Sequence, residues 1–324
     1  MELFRQILEI DSTSGRERQL GEWLYEHLEA PRKELMEVGD GTVNLLLSWG
    51  EPRIVFCSHM DTVPPYIPPV FEDDRIKGRG SCDAKGQFYA MYKACKRLEA
   101  AGRSGFGLLI LSGEETGSWG AKAFARTAFR SPLLVVGEPT DNCMVSASKG
   151  TQSFGLTFKG VPFHSGYPEH GVSAVEEFVK FMNELKEAHF QEDSILGATT
   201  WNVGLLHSDN PQNILSPELK CRLYFRTTFA SHKAVQEWMG KKASPSLDIE
   251  ARGGDVPASY FTLPGFPSAP VSFGSDAPHL SNFERKIICG PGSVLVAHRS
   301  DEQLLLEDFR KAIDIYVNIY ESYN

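Results

Sequence analysis

The sequence predicts an α/β protein: a mostly parallel-sheet domain formed by residues 1–150 and 260–324, with a smaller α+β domain, 151–259, inserted into it. Three observations carry this expectation. The apolar segments IVFCS, GLLIL and LLVV lack the in/out alternation of a half-exposed strand and are separated by helix-like stretches, the pattern of a parallel sheet covered on both faces. Acids and histidines cluster just after those segments, where ligands bind in such sheets. From residue 151 the strands alternate instead, as in an antiparallel sheet.

Each element follows from local pattern. Phe4, Ile7 and Leu8 sit at helical spacing, and DSTSGRE breaks that helix and starts another through Leu28. Arg53–Ser58 reads as a buried strand ending in the proline-rich HMDTVPPYIPP. GRGSCDAKG then opens a helix that runs to about Ala101 and stops at Gly102. Gly107–Ser112 is a second buried strand, followed by GEETGSWG and a helical GAKAFARTAF, and LLVVGEPT is a third strand running into a turn. The insertion reads SFGLTFKG (strand), HSGYPEHG (loop), SAVEEFVKFMNELKEAH (helix), TTWNVGLLH and ELKCRLYFRTTF (strands) and HKAVQEWMG (helix), the start of a ferredoxin-like β-α-β-β-α-β order. After the loop-rich GGDVPASYFTLPGFPSAP, the segments VSFGSDAPHL and KIICGPGSVLVAHRSDE and a last helix, LLLEDFRKAIDIYVNIY, return to the α/β pattern.

The chain has 324 residues, 41% hydrophobic and 23% charged, enough apolar material for a real core. Its net charge of −9 argues against a nucleic-acid or anionic-membrane partner, which needs a basic face. The six cysteines are scattered without a CxxC pair, so free thiols in a reducing compartment are expected. The N-terminal MELFRQILEIDSTSGRE carries early acids and does not read as a signal peptide, and no apolar run approaches the ~18 residues of a membrane span. These features point to a cytoplasmic protein.

GRGSCDAKG invites a phosphate-loop reading, and the residues decline it. A phosphate loop places Lys after Gly and Ser or Thr after Lys, but here Ala84 precedes Lys85 and Gly86 follows it. A dinucleotide loop needs a third glycine where this sequence has Asp83, a carboxylate in the path of a pyrophosphate. His59, Asp61, Asp83, Glu114, Glu115, Glu138 and, late in the chain, His279 and His298 remain as a set. Carboxylates gathered at one sheet end repel one another, and a divalent cation removes that conflict. Mixed His and carboxylate donors suit Zn²⁺, or Co²⁺ and Mn²⁺, and two metals sharing a carboxylate can activate a water, with a further carboxylate as base. Taken alone, His59 and Asp61 would be an ordinary loop pair and Glu114–Glu115 solvated surface; their convergence after successive strands lifts them.

In order, SHMDTVP, GRGSCDAKG, SGEETGSWGAKAF, GEPT and AHRSDE resemble the motifs of the co-catalytic di-zinc aminoacylase/carboxypeptidase family, and the resemblance spans nearly the whole chain. Members of that family include acetylornithine deacetylase, succinyl-diaminopimelate desuccinylase and the carrier-protein-lysine hydrolases, and MDTVPPYIP and SKG look most like the carrier-protein-lysine hydrolase and acetylornithine deacetylase branch. The resemblance implies two divalent metals per chain: His59, Asp83 and Glu138 on one, and Asp83, Glu115 and His298 on the other, with Asp83 bridging. It implies Glu114 as general base and Asp61 orienting the His59 ring. His298 is preferred to His279 because it follows a buried strand and a GPG loop.

The same resemblance makes the insertion a lid and homodimerisation domain. His164 of HSGYP would stabilise the oxyanion across the dimer, and Asn213 and Arg226 of NILSPELKCRLYFR would meet the substrate, Arg226 gripping an α-carboxylate. Lys149, Tyr167, Ser275 and the loop Gly290–Gly292 are further candidates, Gly292 as a substrate contact. The sequence departs from the family in two places: a short proline-rich piece replaces a long helix before GSD, and Ser216 replaces a common proline. The activity implied is hydrolysis of an N-acyl amino acid by a metal-activated water. The alternatives are release of lysine or ornithine from an acidic carrier protein, cleavage at a peptide end, and a metal-free binding module of the same fold.

Overall fold

The computed structural model describes residues 1–39 and 41–323. The chain divides into two compact units, Met1–Ser146 with Tyr260–Ala269 and Ser275–Asn324, and Ala147–Ser259 with Pro270–Gly274. Residues 147–150 and 270–274 thus group with the insertion, beyond the 151–259 read from pattern.

The first unit is built on a six-stranded sheet in the order Arg32–Gly39, Thr42–Trp49, Phe106–Leu111, Ile54–His59, Ser131–Val136, Phe283–Ile288. The last four run parallel. The first two form a hairpin that joins antiparallel, which makes the sheet mixed. That hairpin is absent from the sequence reading. Its inner strand is buried at every position and so shows no alternation, and its outer strand, RKELMEVG, is an edge whose charges block further pairing. Ile54–His59 and Phe106–Leu111 are buried throughout, as apolar parallel strands between helical layers must be.

Helix Lys85–Ala100 packs on Ile54–His59 and on the terminal helix Leu306–Tyr323. Phe4 of the first helix stacks on Tyr89 at 4.7 Å and on Phe309 at 5.6 Å, so three distant segments close one face of the sheet. All six cysteines are free thiols. Among the described residues no helix is long and apolar enough to cross a membrane.

The second unit is a four-stranded antiparallel sheet ordered Thr200–His207, Glu218–Thr227, Gly150–Lys159, Leu247–Ala251, with helices Ala174–Glu187 and His232–Gly240. This is the ferredoxin-like order, and Phe158, Phe181, Leu223, Phe225 and Met239 form its own core. Between Ala251 and Val271 the chain makes only the short strands Ala258–Ser259 and Ser268–Val271, in keeping with the proline-rich sequence there.

Candidate metal centre

The parallel strands deliver the site. His59 is the last residue of Ile54–His59, Glu114 and Glu115 follow Phe106–Leu111, and Glu138 follows Ser131–Val136. Asp83 ends the glycine-rich turn before helix Lys85–Ala100, and its peptide bond to Ala84 is cis. Gly86 is obligatory there, because a Cβ would lie 2.1 Å from the Ser81 carbonyl.

Asp83 is the centre of the cluster. His59 Nε2 lies 3.2 Å from its Oδ1, and His298 Nε2 lies 3.3 Å from its Oδ2. His298 also sits 3.0 Å from Glu115 Oε1. One ligand atom from each of His59, Asp83 and Glu115 falls within 4.8 Å of the others. The structure therefore brings His298 to the cluster, as preferred from sequence, with its backbone in the left-handed region at φ 62°. His279 lies instead in a short 3₁₀ turn, Ala277–His279.

Asp61 meets the His59 ring and does more besides. The nearer partner of His59 Nδ1 is the Asp61 backbone carbonyl at 2.9 Å, with the carboxylate at 3.4 Å. The carboxylate also accepts the backbone N–H groups of Glu114 at 3.0 Å and Glu115 at 3.2 Å and the Ser14 hydroxyl at 2.9 Å. It is the staple of the turn that carries both glutamates.

The electrostatics are those of a crowded acid cluster. Burial, joined by Glu114 and Asp83 and opposed by His59, holds the Glu138 carboxyl well above its ordinary pKa. Burial likewise raises Glu114, against His59 and with Asp276, Glu115 and Asp83. Burial opposes the charge on His59, but its hydrogen bonds to Asp61 and Asp83 hold it well above the usual imidazole range. Hydrogen bonds to Asp83 and Glu115 raise His298 to about 10. Asp83, although buried, is drawn below the carboxylate range by the two histidines. A divalent cation reverses this logic, because it favours charged carboxylates and neutral imidazoles. The donors fit such an ion, and the buried Glu138 Oε1 has no hydrogen-bond partner among the described residues.

Gly292 is buried, and a Cβ there would meet Cys82 Sγ at 2.5 Å. It is a close-packed glycine that lets the GPG loop press on the Asp83 turn. Ser275 is buried and its hydroxyl accepts the Ala277 N–H at 3.3 Å. Asp276, which sequence reasoning passed over, is buried and raised to about 6, chiefly by burial and against the pull of His59. Its only sequence signal was its place in GSD.

The second unit holds the remaining candidates. His164 is exposed, its Nδ1 accepts the Gly166 N–H at 3.1 Å, and its ring centroid is 5.9 Å from that of Tyr167. Asn213 is also exposed, and its carbonyl accepts the Ser165 N–H at 2.9 Å, which brings HSGY and NIL together. Arg226 lies over the Tyr224 ring at 5.1 Å on strand Glu218–Thr227. Lys149 is buried and donates to the Ala198 carbonyl; burial, with Arg226 adding, lowers its pKa.

Comparison with known proteins follows this geometry. The model of peptidase family M20/M25/M40 matches residues 55–322. A probable carboxypeptidase of Aspergillus terreus is 30% identical over 98% of this chain and 85% of its own length. A tripeptidase of Staphylococcus aureus superposes with a TM-score of 0.80 at 18% identity, over 100% of this chain and 98% of its own. The M20 family metallo-carboxypeptidase Sso-CP2 of Sulfolobus solfataricus gives 0.77 at 16% identity, over 99% and 98%.

Proposed function

The chain belongs to peptidase family M20/M25/M40, and from that premise we propose that it is a metal-dependent amidohydrolase cleaving the bond between an acyl group and an amino acid with a free α-carboxylate. The observation that carries this reading is Asp83, flanked by His59 on one oxygen and His298 on the other. We assign His59, Asp83 and Glu138 to one divalent cation and Asp83, Glu115 and His298 to a second, with zinc the best match to these donors and cobalt or manganese as substitutes. Bound there, the cations would acidify a water and polarise the scissile carbonyl.

The chain's own groups do the rest. Glu114, stapled by Asp61 beside the cluster, takes the proton of the attacking water and delivers it to the leaving amine. His164 donates to the developing oxyanion, across a homodimer formed through the inserted unit. Arg226 grips the substrate α-carboxylate, with Asn213, Tyr167 and Lys149 around it.

Small N-acyl amino acids, as taken by acetylornithine deacetylases, are the first substrate class. A C-terminal peptide bond presents the same carboxylate and amide, and the Aspergillus terreus relative described as a probable carboxypeptidase favours it as the second. Lysine or ornithine held on an acidic carrier protein offers the same bond again.

The test measures metal content and hydrolysis on one preparation before and after chelation, using N-acetylornithine and other N-acetyl amino acids, dipeptides and blocked dipeptides. Metal bound, with turnover lost on chelation and restored by zinc or cobalt, is the expected result. The substrate that turns over identifies the class. A chain that takes up neither zinc nor cobalt overturns the reading.

A further inference from the structure

GRGSCDAKG has the glycines of an anion cradle without the residues a phosphate needs. The anion it wraps is the protein's own. Glu302, whose side chain is fully buried, accepts the N–H of Cys82 at 3.1 Å and of Asp83 at 3.0 Å on Oε1, and Arg79 Nη1 at 2.6 Å on Oε2. Its backbone carbonyl accepts the Gly78 N–H at 3.0 Å. One residue thus holds the turn from Gly78 to Asp83 at both ends. Arg79 is buried with it and donates through Nε to the Pro65 carbonyl at 3.3 Å, and Gln87 ties the Cys82 carbonyl at 2.8 Å to that of Pro291 at 2.7 Å.

The place of these contacts matters more than their number. Fixing the Asp83 N–H fixes the peptide plane ahead of it, and with that the direction in which Asp83 projects its carboxylate between His59 and His298. Glu302 also follows His298 by only four residues, so one segment sets both sides of the Asp83–His298 pair.

We infer that Glu302, locked by Arg79, is a positioning residue for the shared carboxylate Asp83, acting through the backbone and touching neither ion nor substrate. The inference rests on the metal-centre reading of Asp83. Groups that orient a ligand without binding the ion themselves typically change metal affinity about 10–100-fold when altered.

The test uses the full chain as wild type, Glu302→Gln and Arg79→Lys. Zinc affinity is read by competition with a chromophoric chelator, the cobalt-loaded protein by its visible absorption, and the metal-free protein by its melting temperature. Glu302→Gln is expected to weaken zinc binding about 10–100-fold and to alter the cobalt spectrum, with Arg79→Lys moving both in the same direction by less. A lower melting temperature with unchanged affinity and spectrum makes the clamp merely structural and overturns the inference. If Glu302→Gln does not fold, Arg79→Lys decides on the same two readouts. Wild type that binds neither metal brings down the metal-centre reading and this inference together. Wild type that binds while both variants match it brings down this inference alone.

Discussion

Asp61 Oδ1 accepts the backbone N–H of Glu114 at 3.0 Å. With Glu115 and Ser14 on its Oδ2, Asp61 controls the turn on which the glutamates stand, while its own backbone carbonyl handles His59. Asp61→Asn keeps that carbonyl and replaces one acceptor by an amide NH2 that faces donors. The expected outcome is a kcat lower by about 10–100-fold with metal stoichiometry retained, because the ligands stay while the base shifts. Steady-state kinetics with metal analysis checks it; loss of metal with unchanged kcat per bound ion would mean that the Asp61 carboxylate acts through the His59 ring and not through the base.

Glu114 and Glu115 are neighbours in sequence with different surroundings: Glu115 meets His298, and Glu114 is raised by burial against the pull of His59. Glu114→Gln is expected to cut turnover by about 10²–10⁴-fold, the usual reach of a general base, and to leave metal content unchanged. Full turnover in this variant would remove the assigned proton carrier.

The candidate site was legible because each part is announced locally: an apolar run ending in His59, another before Glu114 and Glu115, a third before Glu138, and a glycine-rich turn at Asp83. The insertion was legible because its strands alternate, with Glu218–Thr227 burying every second residue. Glu302 was not legible in its role. Its partner Arg79 lies 223 positions away, and backbone N–H groups leave no mark in a sequence. The edge hairpin escaped for a related reason, since Thr42–Trp49 is wholly buried and carries no period to read. The packing of Gly292 against Cys82 was not legible either, because a GPG loop serves packing and ligand contact with the same letters.

Metal uptake should release protons. In the metal-free chain the pKa of His298 is raised to about 10 by Asp83 and Glu115, and a ligating imidazole must be neutral. Apparent zinc affinity is therefore expected to rise with pH up to about that value, tenfold per unit for each proton released. The folded pKa lies above the ordinary 6.5, so in the metal-free protein this group adds stability that is complete below 6.5 and fades as pH climbs through about 10. Calorimetric titration in buffers of different ionisation enthalpy counts the protons. A count that His298→Gln leaves unchanged would contradict the assignment of His298 as a ligand.

Glu17 offers a test independent of metal. It is fully buried, and burial, helped by Asp61, raises it to about 7 against its own backbone N–H and those of Gly15 and Gly113. Between its ordinary 4.5 and about 7 the folded chain keeps a proton that the unfolded chain has lost, so stability falls as pH rises through that window. Glu17→Gln has no charge to bury and loses this slope. Its melting temperature is expected to exceed that of the wild type by roughly 5 °C at pH 8 and to match it at pH 4.5, since a rise from 4.5 to about 7 costs the ionised form about 3 kcal/mol and a chain of this size loses about 0.7 kcal/mol per degree near its melting point. Thermal melts of both proteins at the two pH values decide it. An offset that is the same at both would mean that the effect comes from packing, with the proton on Glu17 playing no part.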